Sequence, residues 1–485
     1  MLQPLAVFNV LGVVILVFAL AMALPLGAST LLEDAALLDY GAAIVLTAAT
    51  GALLRFVTRG QRRELQIRDG FLLVALGWAG LPALAALPLM FFLPGLSFTD
   101  AYFECVSGLT TTGATVLTRL DQLPPSINLW RCQLQWMGGM GIIVLAVAIL
   151  PLLGVGGSQV FRAETPGPMK DVKLTPRITE TAKGLWTVYA GITVVCVICY
   201  RAAGMSWIDA LMHGFSTMSL GGYSSHDASF AFWDSPAIEL VAIVFMLIAG
   251  MNFATHFIAL RSGSPLAYRR DPEIRPYLAV LAVSVLGIAL FLWLHGAYPD
   301  FTSAIRFAAF NVISIATTTG YANTDYNLWP IFASMWMLIL CSFVSCSGST
   351  GAGIKMIRAL LMAKQALREM VRIVHPRAIV PVQLGGQVVE NNIIFAVLAF
   401  MLVYGSSVIL MTMVLSATGV EIVTAFSAVI ACINNMGPGL NELGPAGNYS
   451  GLTDFQTWVL SFAMLLGRLE LMTLLVVLTP AFWRK

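Results

Sequence analysis

The sequence predicts an all-α integral membrane protein: an N-terminal two-helix hairpin, then four parallel span–pore-loop–span repeats around a central pore. Three observations predict it. Of 485 residues, 58% are hydrophobic and only 11% are charged, whereas a soluble domain carries about 25% charged residues. So little charge cannot wet the surface of a chain this long, and lipid must solvate most of it. Apolar runs long enough to cross a bilayer recur along the whole chain. Between them lie four shorter apolar segments, each ending in a helix-breaking Gly/Thr/Ser/Asn cluster.

A bilayer core about 30 Å thick needs about 20 apolar helical residues. Suitable runs lie near 5–27, 39–57, 71–93, 128–153, 184–204, 236–260, 276–296, 331–345, 391–417 and 455–480. The run at 331–345 is short and resumes beyond a Gly/Ser break. The first run has neither a basic n-region nor a small-residue cleavage site, so it reads as a retained span rather than a signal peptide. The segments near 100–112, 208–221, 303–319 and 421–436 are too short to cross.

Basic residues set the orientation. One group is Arg55, Arg59, Arg62, Arg63 and Arg68; a second is Arg162, Lys170, Lys173, Arg177 and Lys183. Arg261, Arg269, Arg270 and Arg275 form a third; Lys355, Arg358, Lys364, Arg368, Arg372 and Arg377 a fourth; Arg484 and Lys485 end the chain. All five groups face the cytoplasm only if the short segments dip in from outside, which puts both termini inside. Glu33, Asp34, Asp121, Asp227, Asp325, Glu442 and Asp454 then lie mostly outside. The units so defined are a hairpin over 1–69 and pore repeats over 70–160, 161–262, 263–378 and 379–485.

The net charge of +2 gives no reason to expect nucleic acid. Five histidines and seven cysteines form no HExxH spacing, and Cys132, Cys196, Cys199, Cys341 and Cys432 sit in apolar runs as small core residues. No disulfide framework is expected.

The four short segments align without gaps on one glycine each. They read AYFECVSGLTTTGA, ALMHGFSTMSLGGY, AAFNVISIATTTGY and AFSAVIACINNMGP, and the aligned glycines are Gly113, Gly222, Gly320 and Gly437. Twelve residues earlier stand Ala101, Ala210, Ala308 and Ala425; six earlier stand Ser107, Ser216, Ser314 and Ala431. This register selects Gly222 over Gly221. An ion entering a membrane must trade its water shell for fixed oxygens, which rings of backbone carbonyls supply. Glycine frees the dihedrals such a backbone needs, and a helix ending there aims its negative dipole end at a cation. The expected metal-ion ligands are the carbonyls of Thr111, Thr112, Leu220, Gly221, Thr318, Thr319, Asn435 and Met436. The alternative is a set of plain Gly/Thr turns ending half-buried helices.

The span from Ile331 breaks at SCSGSTGAG, Ser345 to Gly353, a stretch that holds a helix poorly. A broken helix at membrane depth lines a cavity, which predicts a gate containing Gly348, Ser349, Thr350, Gly351 and Gly353; the alternative is a packing kink. Arg468 stands near the middle of the last span, where a charge costs a few kcal/mol or more and must face the pore or a partner. It either bonds the loop carbonyls and raises a barrier to cations, or pairs with nearby Glu470. His213 is expected to be packed, Glu104 to brace the first pore helix, and Arg306 to need an acidic or carbonyl partner. Asp121, Asp227 and Asp325 follow filters and either concentrate cations or are solvated loop charges. Asn252 and His256 share a helix face as interhelical polar groups rather than metal ligands.

Two other classes compete. An alternating-access secondary cation transporter, sodium- or proton-coupled, is built on repeats around a midplane site, but these repeats run in parallel topology and mid-span carboxylates are scarce. A membrane enzyme needs a constellation of acid, base or nucleophile, and none is evident, so no enzyme activity is expected.

TTTGA, SLGGYSSHD, ATTTGYANTDY and NNMGPGL resemble the four filter segments of the Trk/Ktr/HKT superfamily. The length, the extra hairpin and GSTGAGIK resemble its TrkH-type members. The resemblance covers essentially the whole chain. It implies potassium uptake or symport across a bacterial inner membrane, with potassium as the transported ion and no organic cofactor. It also implies a homodimer with one pore per subunit. A cytosolic TrkA-like regulatory subunit, binding NAD or ATP/ADP, is implied too, and so is an arginine at position 468 that points into the pore. A glycine in every filter matches potassium-selective members, whereas sodium-favouring relatives carry serine where this chain has Gly113. The basic stretches 162–183 and 355–377 are expected to dock that partner or anionic lipid.

Overall fold

A computed structural model describes residues 4–60, 65–144 and 178–484. Arg62, Arg63, Arg162, Lys170, Lys173 and Arg177, and the boundary expected at 160/161, lie outside them. The described residues are mostly helical; the single sheet among them is an antiparallel pair, Gln383–Leu384 with Gln387–Val388.

Helices α1 (Pro4–Ala21), α2 (Ala23–Leu32) and α3 (Leu37–Thr58) form the N-terminal hairpin. Gly12 and Gly51 let α1 and α3 cross closely: a Cβ on either would lie 2.9 Å from the other's carbonyl oxygen. Small residues at a helix crossing serve this purpose in lipid. Leucine and valine on the outer sides stay exposed, Leu20 at 73% and Val45 at 68%, which is the pattern of a lipid-facing surface rather than a wetted one.

Four units of similar plan follow. The first holds α4 (Ile67–Ala85), α5 (Leu87–Phe92), the short α6 (Phe98–Leu109) and α7 (Pro125–Val144). The second holds α8 (Ile178–Ala202), the short α9 (Trp207–Ser219), α10 (Pro236–Ala249) and α11 (Phe253–Ser262). After α12 (Leu266–Arg270), the third holds α13 (Ile274–Leu294), the short α14 (Phe301–Ala316), α15 (Ile331–Cys341) and α16 (Met356–Val374). The fourth holds α17 (Asn391–Ala417), the short α18 (Ile422–Ile433), α19 (Asp454–Arg468) and α20 (Met472–Leu478), before the terminal α21 (Pro480–Trp483). Among the described residues, six helices are long and apolar enough to cross a membrane, or up to eight if each bent pair is one span.

Two expected spans are not straight. The run 236–260 bends by 93° between α10 and α11, and 455–480 bends by 116° between α19 and α20. The first bend has a local cause. Asn252 takes an extended backbone and its side chain accepts the Ala254 N–H, starting a new helix. The Gly250 carbonyl left over accepts the Cys346 N–H at 3.0 Å. In the second bend Glu470 and Leu471 have φ of +53° and +47°, outside the helical region.

Gly51→Leu should force α1 from α3 and cost about 1–3 kcal/mol, the usual range for overpacking. The melting temperature of the purified protein in detergent should drop; an unchanged melting temperature would contradict the close crossing.

Candidate functional site

The four short helices begin alike. Side chains of Ser97, Ser206, Asp300 and Glu421 accept the backbone N–H of Asp100, Asp209, Ser303 and Thr424. Each cap satisfies a donor that the first turn of the helix leaves without an intrahelical partner. Ala101, Ala210, Ala308 and Ala425, the repeated alanines, are fully buried.

They also end alike. Thr111, Leu220, Thr318 and Asn435 take left-handed φ of +56°, +54°, +65° and +50°. The next residue donates its N–H back five positions: Thr112 to Ser107, Gly221 to Ser216, Thr319 to Ser314 and Met436 to Ala431, at 2.8–2.9 Å. The left-handed residue itself donates three positions back, to Gly108, Thr217, Ile315 and Cys432. Together these bonds make a Schellman end. Three of the four left-handed residues are Thr or Leu, for which this conformation is strained. The position six before each glycine contributes its carbonyl, so alanine serves at 431 as well as serine does elsewhere.

Gly113, Gly222, Gly320 and Gly437 follow with φ of +86°, +79°, +88° and +100°. Gly221 does not share this conformation, in keeping with the register that selects Gly222. Each glycine also abuts the segment next in chain order. A Cβ would lie 2.2 Å from the Gly221 oxygen at Gly113, 2.1 Å from Thr319 at Gly222, 2.0 Å from Met436 at Gly320, and 2.7 Å from Thr112 at Gly437. The oxygens met are those of the residues just before the glycines, so the four segments close into a ring. Glycine is required here by close approach as well as by φ. Gly221 departs in one respect: its carbonyl also accepts the Gln135 Nε2 hydrogen at 2.6 Å.

The broken helix lies against this ring. Between α15 and α16, Ser345 Oγ donates to the Thr317 carbonyl at 3.2 Å and Thr350 Oγ1 to the Met218 carbonyl at 3.0 Å. The Ala352 N–H reaches Thr318 Oγ1 at 3.2 Å. The Gly348 carbonyl accepts the Phe253 N–H at 3.0 Å, and Gly348 packs on Asn252. The Gly353 backbone is left-handed, with φ +83°. Ser349 Oγ donates to the Cys346 carbonyl at 2.6 Å. Lys355 Nζ donates to the Gly351 carbonyl. Arg468, 2% exposed, donates to the Thr350 and Gly138 carbonyls, both at 2.9 Å. It does not pair with Glu470, which instead meets Arg358 at 2.5 Å.

The TrkH family of cation transport proteins matches residues 40–485 of this chain. The chain is 48% identical over 481 residues to the Trk system potassium uptake protein TrkH of Halomonas elongata, with 99% of each covered. It is 43% identical over 481 residues to the protein of that name from Escherichia coli K12, again with 99% of each covered. The crystal structure of the potassium transporter TrkH from Vibrio parahaemolyticus superposes with a TM-score of 0.91 at 41% identity, covering 100% of both chains. The chain belongs to the TrkH family. It is therefore a membrane transport protein and not an enzyme.

In this TrkH-family chain the ring is braced from behind by groups sequence reasoning did not pair. Arg131, on α7, meets Glu104 at 2.8 Å with both side chains 1% exposed. Arg131 also reaches Asn128, Thr115 and the Ser224 carbonyl, and lies over the Tyr223 ring at 4.2 Å. Glu104, on α6, accepts the Val116 N–H at 3.0 Å, so it braces the chain leaving the first ring segment as well as α6 itself. Gln135 takes the Ser216 hydroxyl at 2.6 Å and the Tyr223 N–H at 3.2 Å. Arg306 meets Glu239 and Asp234 at 2.8 and 2.7 Å. His213 is packed, with partners on both ring nitrogens at 2.9 Å. His256 bonds Tyr268 and the Ile248 carbonyl, both at 2.9 Å. No group of His, Cys, Asp or Glu suited to a metal ion occurs among the described residues.

On the side of the ring away from the broken helix is a cavity of about 310 Å³, bordered by Gly113, Gly222, Gly320 and Pro438. Asp121 and Asp227 are not merely solvated there. Asp227 accepts the Leu120 N–H and Asp121 the Asp227 N–H, at 3.1–3.2 Å. Asp325 accepts the Asn327 N–H at 3.0 Å and caps a short turn.

Glu104→Ala should strip the buried Arg131 of its counter-charge and cost about 3–5 kcal/mol. Glu104→Met with Arg131→Leu should recover much of that loss, because the penalty comes from the unpaired charge. Melting temperatures of the single and the double variant test this; a double variant no better than Glu104→Ala would refute it.

Proposed function

We propose that this chain takes up potassium through a pore whose filter is the glycine ring. The ion sheds water onto the carbonyls of Thr111 and Thr112, Leu220 and Gly221, Thr318 and Thr319, Asn435 and Met436. The observation that carries the reading is the closure of four equivalent segments in one register, with four helix C-termini ending at it. Those ends bring partial negative charge toward a cation. The relatives named as potassium uptake proteins support the choice of ion.

In this reading the loop 345–353 is the gate. It is tied to ring-segment helices by Ser345 and Thr350, and its carbonyls are held by Arg468 and Lys355. A buried guanidinium beneath the filter also repels cations. The chain works in a bacterial inner membrane with both termini cytoplasmic, as a homodimer with one pore per subunit, divided as 1–69, 70–160, 161–262, 263–378 and 379–485. A cytosolic TrkA-like subunit that reads NAD or ATP/ADP sets the gate. Helix α16 supports a docking role: beyond the loop it exposes Leu367, Met370, Ile373 and Val374 beside Arg372, a mixed apolar and basic surface suited to a protein partner.

Rubidium and sodium flux into proteoliposomes under a clamped potential tests the filter. Wild type should favour rubidium. Gly113→Ser should cut the rubidium-to-sodium ratio about tenfold, about 1.4 kcal/mol, since its Cβ collides with the Gly221 carbonyl. Equal flux of both ions in wild type would overturn the reading.

Arg468→Ala should raise rubidium flux about fivefold, the effect of about 1 kcal/mol less barrier. Deleting Gly348–Gly351 should do the same without the regulatory partner. Unaltered flux in both folded variants would remove the loop from the gate.

A further inference from the structure

His226 stands four residues after Gly222, at the cavity beyond the ring. Its Nδ1 bonds the Asp121 carboxylate, in the loop after the first ring segment. Its Nε2 lies 3.5 Å from Asp209 Oδ1, in the first turn of α9, and finds no hydrogen-bond partner. The ring lies flat on Phe232, centroids 3.5 Å apart and planes 6° apart, with Trp233 edge-on at 4.9 Å. Its own N–H donates to Ser224 Oγ at 3.1 Å. The imidazole is therefore clamped between carboxylates from two different units.

A neutral imidazole carries one N–H and one lone pair. One of its nitrogens would then aim a lone pair at a carboxylate. Only the imidazolium turns an N–H and a positive charge toward both carboxylates. We propose that His226 is a positioning residue of the outer pore wall, whose protonation from outside holds the first and second filter loops together and so sustains ion selectivity. This rests on the pore reading above.

The charged and titratable neighbours are few. Asp227 braces the same loops, and Arg119 and Arg131 border the cavity, the latter committed to Glu104. His213 sits beneath, bonded to the Asp209 carbonyl and Ser224. Asp234 is engaged with Arg306. Burial pulls the His226 pKa down, but the Asp209 and Asp121 carboxylates outweigh it, and the ring's pKa lies above its ordinary value. Asp121 is correspondingly held below the usual carboxylate range; burial opposes this, and the bond from His226 leads the groups that overcome it. A raised histidine pKa means the clamp is fully formed below about pH 6.5 and is lost as pH rises through the folded-state value.

The test is the rubidium-to-sodium flux ratio in proteoliposomes, with outside pH varied from about 6 to about 9 and inside pH fixed. The wild-type ratio should fall severalfold with rising outside pH. His226→Gln should give a low ratio without that inflection. Asp209→Asn keeps the ring but removes one carboxylate, so it should move the midpoint down by about one pH unit. A wild-type ratio flat in pH, or an inflection surviving in His226→Gln or unmoved in Asp209→Asn, overturns the inference while leaving the pore intact. Absence of rubidium flux at every pH overturns the pore reading and this inference together.

Discussion

Non-helical backbone buried in a lipid-solvated protein must find each hydrogen bond inside the protein, because no water is there to supply one. The ring of four glycine segments meets this demand by one device used four times. Each helix ends by curling its next two N–H groups back onto its own last carbonyls. The chain can then leave in an extended, alternately handed form with those helix-end carbonyls paired. Side chains collect what remains: Tyr449 donates to the Gly437 carbonyl at 2.7 Å and Ser314 to the Tyr321 carbonyl at 2.7 Å. The glycines are a second consequence of the same demand. Segments that satisfy themselves locally pack shoulder to shoulder, and no side chain fits between one backbone and the next. Even the helices behind the ring obey this rule: Gly138 and Gly467 each lie where a Cβ would be 1.9 Å from a carbonyl oxygen at the end of a short helix, those of Leu109 and Ile433.

The breaks in the longer helices are the other half of the pattern. Three of the four units interrupt the helix that follows the ring segment, at 250–252, 342–355 and 469–471. The first unit keeps α7 continuous as far as it is described. The freed groups of the breaks satisfy one another. The Gly250 carbonyl takes an N–H from Cys346, the Gly348 carbonyl one from Phe253, and the Thr350 carbonyl one from Arg468. A loop of glycine and serine is thereby held at three points by its neighbours' irregularities rather than by a stable conformation of its own. Such a segment has low intrinsic stability and a resting place defined by its neighbours.

What could be read from the sequence follows from how local its cause is. The ring register was legible because each segment's geometry is fixed within a stretch from capping residue to glycine. Even the capping residues were readable, sixteen before the glycine for Ser97, Ser206 and Glu421, although they went unread. Composition placed most apolar runs for the same reason. The two bends were illegible: Gly250 and Met251 carry little that distinguishes a bend from a packed helix, and Leu469 to Leu471 carry less. The first also depends on a distant group, the Cys346 N–H, which donates to the freed Gly250 carbonyl. The Arg131–Glu104 pair likewise joins residues 27 apart, and nothing local at Arg131 announces a buried partner. Arg306 was recognised as needing a counter-charge, but Glu239 lies 67 residues away.

The end of α19 links these themes. Leu471 donates to the Leu466 carbonyl at 2.8 Å and Glu470 to that of Gly467 at 3.2 Å, with Glu470 left-handed. This is the same helix ending that closes each ring segment, now applied to a long helix. Its effect is to stop α19 at Arg468, so that the guanidinium emerges at the level of the loop. One residue separates Arg468 from Glu470, whose carboxylate holds Arg358 on α16. Lys355, at the start of α16, holds the loop from the other side. The loop is therefore tied to α16 twice around Thr350 and Gly351: directly through Lys355, and through Arg468, Glu470 and Arg358. A paired and partly buried charge resists separation from its partner, so both ties couple the position of α16 to the same part of the loop. The strained backbone at Glu470 and Leu471 is kept because it sets the direction in which Arg468 and Glu470 diverge, one toward the loop and one toward α16.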